Sequence, residues 1–102
     1  MKDKLKAKVK LPHIDEADFP YKFYKCWWRD IISSENWEDL TAIKKSKPAI
    51  CITMGWLVST KNNNYVFVGD LSFNDDETIT QGGNTTVIPK TNVLKLKEIK
   101  NI

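Results

Sequence analysis

Two long β-forming runs joined by asparagines constrain this chain most. Ala49 to Thr60 reads AICITMGWLVST and Asn64 to Phe73 reads NYVFVGDLSF, both rich in β-branched and aromatic residues. Between them stands Lys61-Asn62-Asn63-Asn64, and asparagine tolerates the left-handed backbone of a tight hairpin turn. The pair therefore predicts a long antiparallel hairpin. Gly55 in the middle of the first run predicts a bulge or bend there.

The rest of the chain must pack around that hairpin. Tyr21 to Ile32 reads as a preceding strand, and TTVIPK and NVLKLKEI as two short strands separated by the tight turn Pro89-Lys90-Thr91-Asn92. Asn74 to Asn84, with the pair Gly82-Gly83, reads as a polar loop. Trp37, Leu40 and Ile43 recur at helical spacing behind the capping candidates Ser33 to Asn36, which predicts two turns of helix over 37–43. Glu38 and Asp39 in its first turn and Lys44 and Lys45 at its end suit the helix dipole.

The fold class is thus mainly β: a five-stranded SH3/Sm-like barrel with one short helix after the first core strand. An OB-like barrel is the competing architecture. With 102 residues, 41% hydrophobic and 28% charged, the chain has room for one modest core. Residues 21–102 form that domain. Residues 1–20 form a basic arm or edge strand: Lys2, Lys4, Lys6, Lys8 and Lys10 alternate with Leu5, Ala7, Val9 and Leu11, and the prolines Pro12 and Pro20 bracket a loop.

Composition also bears on chemistry. The net charge is only +3, which is sparse for a protein that neutralises many phosphates of a long nucleic acid. Cys26 and Cys51 lack zinc-site spacing, and His13 completes no common Cys/His pattern with them, so no metal or cofactor is expected and reduced thiols are. No apolar run is long enough for a membrane span, and no apolar segment follows the first lysines as in a signal peptide. No serine-hydrolase elbow, zinc-protease motif, P-loop or dinucleotide loop occurs, so the chain reads as a non-enzyme. Asp75-Asp76-Glu77 lie in a polar loop, where neighbouring acids are ordinarily solvated.

The inventory suits binding better. Trp27, Trp28, Trp37 and Trp56 are more tryptophan than a core of this size requires, and each indole N–H wants a partner. Arg29 and Asp30 follow Trp28, Gly55 precedes Trp56, and Lys90 follows Pro89. Aromatic planes with an arginine and a lysine are the parts that grip a nucleotide. Asp30 could read a guanine edge, pair with Arg29 or cap the helix. Adjacent strand residues point to opposite faces, so one of Trp27 and Trp28 enters the core and the other faces a ligand or a subunit contact. The W-x-D spacing nominates Trp28 for the ligand. The candidate site is Trp28, Arg29, Asp30, Trp37, Thr53, Gly55, Trp56 and Lys90.

From Trp28 to Ile99 the order W-x-D, W-x-D-L, T-x-G-W-L-V, Y-V-x-V, V-I-P-K and V-L-K-L-K resembles small tailed-bacteriophage proteins. Thr53 to Val58 and Val87 to Lys90 carry most of the likeness, which extends to the hairpin and terminal strands of Sm-like barrels. One group of phage proteins of this size comprises the anti-defence sponges that sequester cyclic-nucleotide alarm signals, as in escape from CBASS immunity. The resemblance implies a non-enzymatic homo-oligomer in the host cytoplasm, with a small nucleotide held at or near subunit contacts. The rival readings are an Sm-like RNA-binding module and an inhibitor that binds a host protein through its aromatic surface.

Overall fold

The computed structural model describes residues 11–14 and 19–101. The lysine-alternating stretch over residues 2–10 lies outside the described residues. Five strands form one antiparallel sheet: β1 (Lys22–Asp30), β2 (Ala49–Ser59), β3 (Asn64–Phe73), β4 (Ile79–Pro89) and β5 (Val93–Glu98). The strand order is β4-β3-β2-β1-β5, a four-strand meander with the last strand returned to the first.

The expected hairpin forms as β2 and β3. Asn62 and Asn63 take φ values of 57° and 61°, the left-handed conformation that turned the chain there. The ladder reaches only from Trp56↔Val68 to Ser59↔Val66, with a register shift between Leu57 and Ser59. The β1–β2 ladder runs from Asp30↔Ala49 to Lys22↔Leu57, so β2 pairs with β1 alone as far as Gly55. Beyond Val68 β3 pairs with β4 alone, down to Phe73↔Ile79. The two halves of the sheet diverge at Gly55, where a Cβ would stand 2.7 Å from the Val68 carbonyl oxygen. Glycine is needed at that crossing because β3 backbone occupies the side-chain space, and the bulge itself falls a few residues later.

The sheet is strongly curled. In a flat sheet four strand spacings would separate β4 from β5 by about 19 Å. Yet Pro89 and Val93 are four residues apart, a reach of at most about 15 Å, and a one-turn 3₁₀ helix, Lys90–Asn92, shortens it further. Its ends are tied to both sides: the Lys90 N–H donates to the Asn63 carbonyl at 2.9 Å, and Asn92 Nδ2 donates to the Arg29 carbonyl at 2.9 Å. The concave face holds the core. Cys26, Phe67 and Ile88 are buried there, with Tyr24, Trp28, Leu57, Tyr65, Val93 and Leu96 packed around them.

Two expectations are corrected. Ile79 to Asn84 is strand, not loop, because its backbone completes the β3 ladder at Asp70↔Gly83, Leu71↔Gly82 and Ser72↔Gln81. The polar loop shrinks to residues 74–78, closed by the Asn74 N–H on the Thr78 carbonyl. The helix shrinks to α1, Leu40–Ile43, with Asp39 at its N-cap and no side-chain cap bond. A single turn without a packed face has little to sustain it. Every residue from Ile31 to Pro48 is exposed, so the β1–β2 connection stands away from the sheet as an arm.

Candidate functional site

β1 separates its aromatic residues by face. Tyr24, Cys26, Trp28 and Asp30 alternate with Phe23, Lys25, Trp27 and Arg29. Trp28 packs against the core, and its indole Nε1–H donates to Thr53 Oγ1 at 3.0 Å. Trp27 lies on the convex face between the ammonium groups of Lys95 and Lys25, 5.1 and 5.4 Å from its ring centroid. The expectation that gave Trp28 to a ligand and left Trp27 for the core is thereby turned round as a matter of packing. The paired register places Ile52, Met54 and Ile50 beside Trp27, Lys25 and Arg29 on the same convex face, with Lys95 and Lys97 on the other flank.

The eight candidate residues do not converge. Trp28 and Thr53 meet, as does Asp30 with its own neighbour, accepting the Ile31 N–H at 2.8 Å rather than capping α1. Arg29 is on the convex face. Trp56 is half-buried edge-on against Phe23 at 5.1 Å, and its Nε1 is buried with no partner among the described residues. The space expected beside Gly55 for a flat ligand is filled by the Val68 backbone. Trp37 is wholly exposed on the arm. Lys90 sits across the curl, its ammonium 5.3 Å from the centroid of Tyr65.

A concave site lies elsewhere. Pro20, Tyr21, Lys22, Tyr24, Leu57, Val58, Ser59, Thr60 and Lys61 line a cleft of about 480 Å³ where β1 begins and β2 ends. Two of these, Leu57 and Tyr24, also pack on the core. Two tyrosines, two lysines, Ser59 and Thr60 are among the residues that line the cleft. That combination can stack a flat ring, bond its edge and balance phosphate charge. None of these residues was nominated from the sequence, although Tyr-Lys-x-Tyr at one strand end and Ser-Thr-Lys at another are both visible there.

Other candidate chemistry resolves into structure. Among the described residues no three His, Cys, Asp or Glu side chains are grouped to hold a metal ion. Asp76 Oδ1 accepts the Thr78 N–H at 3.0 Å and the Thr78 hydroxyl at 2.6 Å, and these bonds hold its pKa below the ordinary carboxylate value. Burial pushes the Cys26 thiol up from 9.0, so it stays neutral and poorly nucleophilic. Among the described residues no helix is long and apolar enough to cross a membrane. Comparison with protein-family models, with curated proteins and with solved structures finds no match to this chain.

Proposed function

We propose that this chain is a non-enzymatic, phage-encoded binding protein that sequesters a cyclic-nucleotide immune signal in the host cytoplasm. The observation that carries this reading is the cleft at the mouth of the curled sheet, where Tyr21 and Tyr24 stand with Lys22 and Lys61. The mouth of a small β-barrel is a common place for a ligand. A base stacked on an aromatic ring contributes about 1–3 kcal/mol, and the two lysines match the charge of a ligand with one or two phosphates. The resemblance to small tailed-phage proteins, one group of which is the anti-defence sponges, suggests the class of signal. The return of β5 to β1 through a 3₁₀ turn supports the SH3/Sm type of barrel over the OB type.

Capture of a scarce signal without turnover requires roughly nanomolar affinity, about −12 kcal/mol. One open cleft with two stacking rings and two exposed ammonium groups falls short of that. A second subunit closing over the ligand supplies the difference, so the functional form in this reading is a homo-oligomer.

Titration calorimetry against 3′,3′-cyclic GMP–AMP, with the linear dinucleotide as control, tests the proposal. The expected result is saturable binding of the cyclic ligand, its recovery intact, and at least about tenfold weaker binding by Lys22→Glu with Lys61→Glu, a change of about 1.4 kcal/mol. Absence of binding by any cyclic dinucleotide refutes it. Tight, steeply salt-dependent binding of single-stranded RNA would instead favour the Sm-like RNA module.

A further inference from the structure

The arm between β1 and β2 and the convex face of the same two strands are the least covered apolar surfaces of the described chain. Trp37 is 101% exposed, Leu40 70% and Ile43 45%; on β2, Ile50 is 66%, Ile52 59% and Met54 50% exposed. Trp37, the one aromatic among them, exposes on the order of 200 Å², and the arm residues and the β2 residues form two separate patches, each on the order of 400 Å². A reciprocal pair, which covers both patches of each chain, reaches about 800 Å² per partner, the size of a stable interface, and a single such contact about half of it.

The Trp37 end of the arm and the convex face carry opposite charge. Glu35, Glu38 and Asp39 flank Trp37 on the arm, and the lysines Lys44, Lys45 and Lys47 come only after α1. On the convex face Lys25, Arg29, Lys95 and Lys97 border Trp27 and the isoleucine strip, by the register of β1 with β2 and β5. An acid-flanked tryptophan and a base-flanked apolar strip are complementary in both polarity and sign, as at interfaces with a central aromatic anchor. Among the described residues they stand apart, each at least half exposed or nearly so. The core is also small: Cys26, Phe67, Val68 and Ile88 are the buried apolar residues among those described, and a domain with so few gains much by association.

We infer that the arm of one chain docks on the convex face of a second copy, Trp37, Leu40 and Ile43 covering Ile50, Ile52 and Met54 while Glu38 and Asp39 approach Lys25 and Lys95. The contact joins unlike surfaces, so it closes either as a reciprocal pair or as a ring. It stands apart from the nucleotide reading, because the cleft uses other residues and the test contains no nucleotide.

The test is the molar mass of the full chain by light scattering after chromatography, from about 1 to 100 µM, the range in which interfaces of this size associate. Wild type should run at a multiple of 11.8 kDa. Trp37→Ser with Leu40→Ser should run as a monomer, and so should Ile50→Ser with Ile52→Ser, both keeping the wild-type circular dichroism because the altered side chains are exposed. An equimolar mixture of the two variants should form a heterodimer at the upper end of this range, through the one contact whose arm and face are both intact. In a third variant, Lys25→Glu with Lys95→Glu should weaken assembly at least tenfold, and adding Glu38→Lys and Asp39→Lys should restore it. A monomeric wild type, an oligomer indifferent to the arm, or no reassembly on mixing would each overturn the inference. So would a monomer that binds RNA or a host protein through this face.

Discussion

Replacing Trp27 and Trp28 one at a time separates the two faces of β1 by stability. Trp28 is half-buried against Cys26, Phe67 and Ile88, and its N–H is bonded to Thr53. Removing a core tryptophan costs 3–5 kcal/mol in general, and the partial exposure of Trp28 places Trp28→Ala near the lower end, about 3 kcal/mol. Thr53→Val leaves the indole N–H without its acceptor and should cost about 1–2 kcal/mol. Trp27→Ala loses packing against exposed side chains and two lysine contacts of about 0.5 kcal/mol each at an exposed site. Its cost should stay near 1 kcal/mol. With a urea m-value of about 2 kcal/mol/M for a chain of this size, the midpoint falls by about 1.5 M for Trp28→Ala and about 0.5 M for Trp27→Ala. Urea titration followed by far-ultraviolet circular dichroism, at one protein concentration to keep any association constant, reads the difference. A larger loss for Trp27→Ala than for Trp28→Ala, or a loss below about 1 kcal/mol for Trp28→Ala, would refute the assignment of faces.

Gly55→Ala places a methyl group 2.7 Å from the Val68 carbonyl oxygen and should destabilise by about 1–3 kcal/mol, measured by the same titration; Gly69→Ala, whose Cβ would meet nothing nearer than 3.4 Å, should cost much less. A thiol reagent at neutral pH should label the half-buried Cys51 quickly and leave Cys26 unmodified until the chain unfolds, which mass spectrometry of timed digests will show. Because the Cys26 pKa is raised on folding, its share of stability is intact below 9.0 and is lost as pH rises through the folded value; Cys26→Ala should flatten that alkaline decline in thermal melts. Asn63→Ala, at φ 61°, should cost about 1 kcal/mol and Asn63→Gly should not, by equilibrium unfolding.

How much of the fold was legible depended on whether a segment carries its own signal. β2 and β3 have β-branched runs and an asparagine turn, and both appear with nearly the expected limits. β5 likewise alternates, and Pro89 marks the end of β4. The first half of β4 has no such signal: Thr80-Gln81-Gly82-Gly83-Asn84 offers almost no apolar side chain to bury, and it is extended because β3 presents an unpaired edge to it. Partner backbone, not its own composition, decides its state. The helix failed for the opposite reason. Its apolar spacing was real, but spacing alone stabilises a helix only when something covers the stripe, and Trp37 is wholly exposed.

For the site, alternation showed that Trp27 and Trp28 part company, and left open which goes inside. The deciding signal lay in the neighbours on each face. Lys25 and Arg29 flank Trp27 at i±2, while Trp28 has Cys26 and Asp30 there with Tyr24 beyond, and a strand face bearing two cations is the one that keeps water. Weighting the neighbours at i±2 above the W-x-D spacing would have assigned both tryptophans. The cleft was out of reach of such reasoning. Its lysines, Lys22 and Lys61, stand at the start of one strand and just beyond the end of another, and only the long β1–β2 register, ending at Lys22↔Leu57, brings those ends together. The chemistry of the cleft is therefore a property of pairing: a shift of two residues would keep every side chain on its face and still carry Lys22 about 7 Å along the strand, away from Lys61.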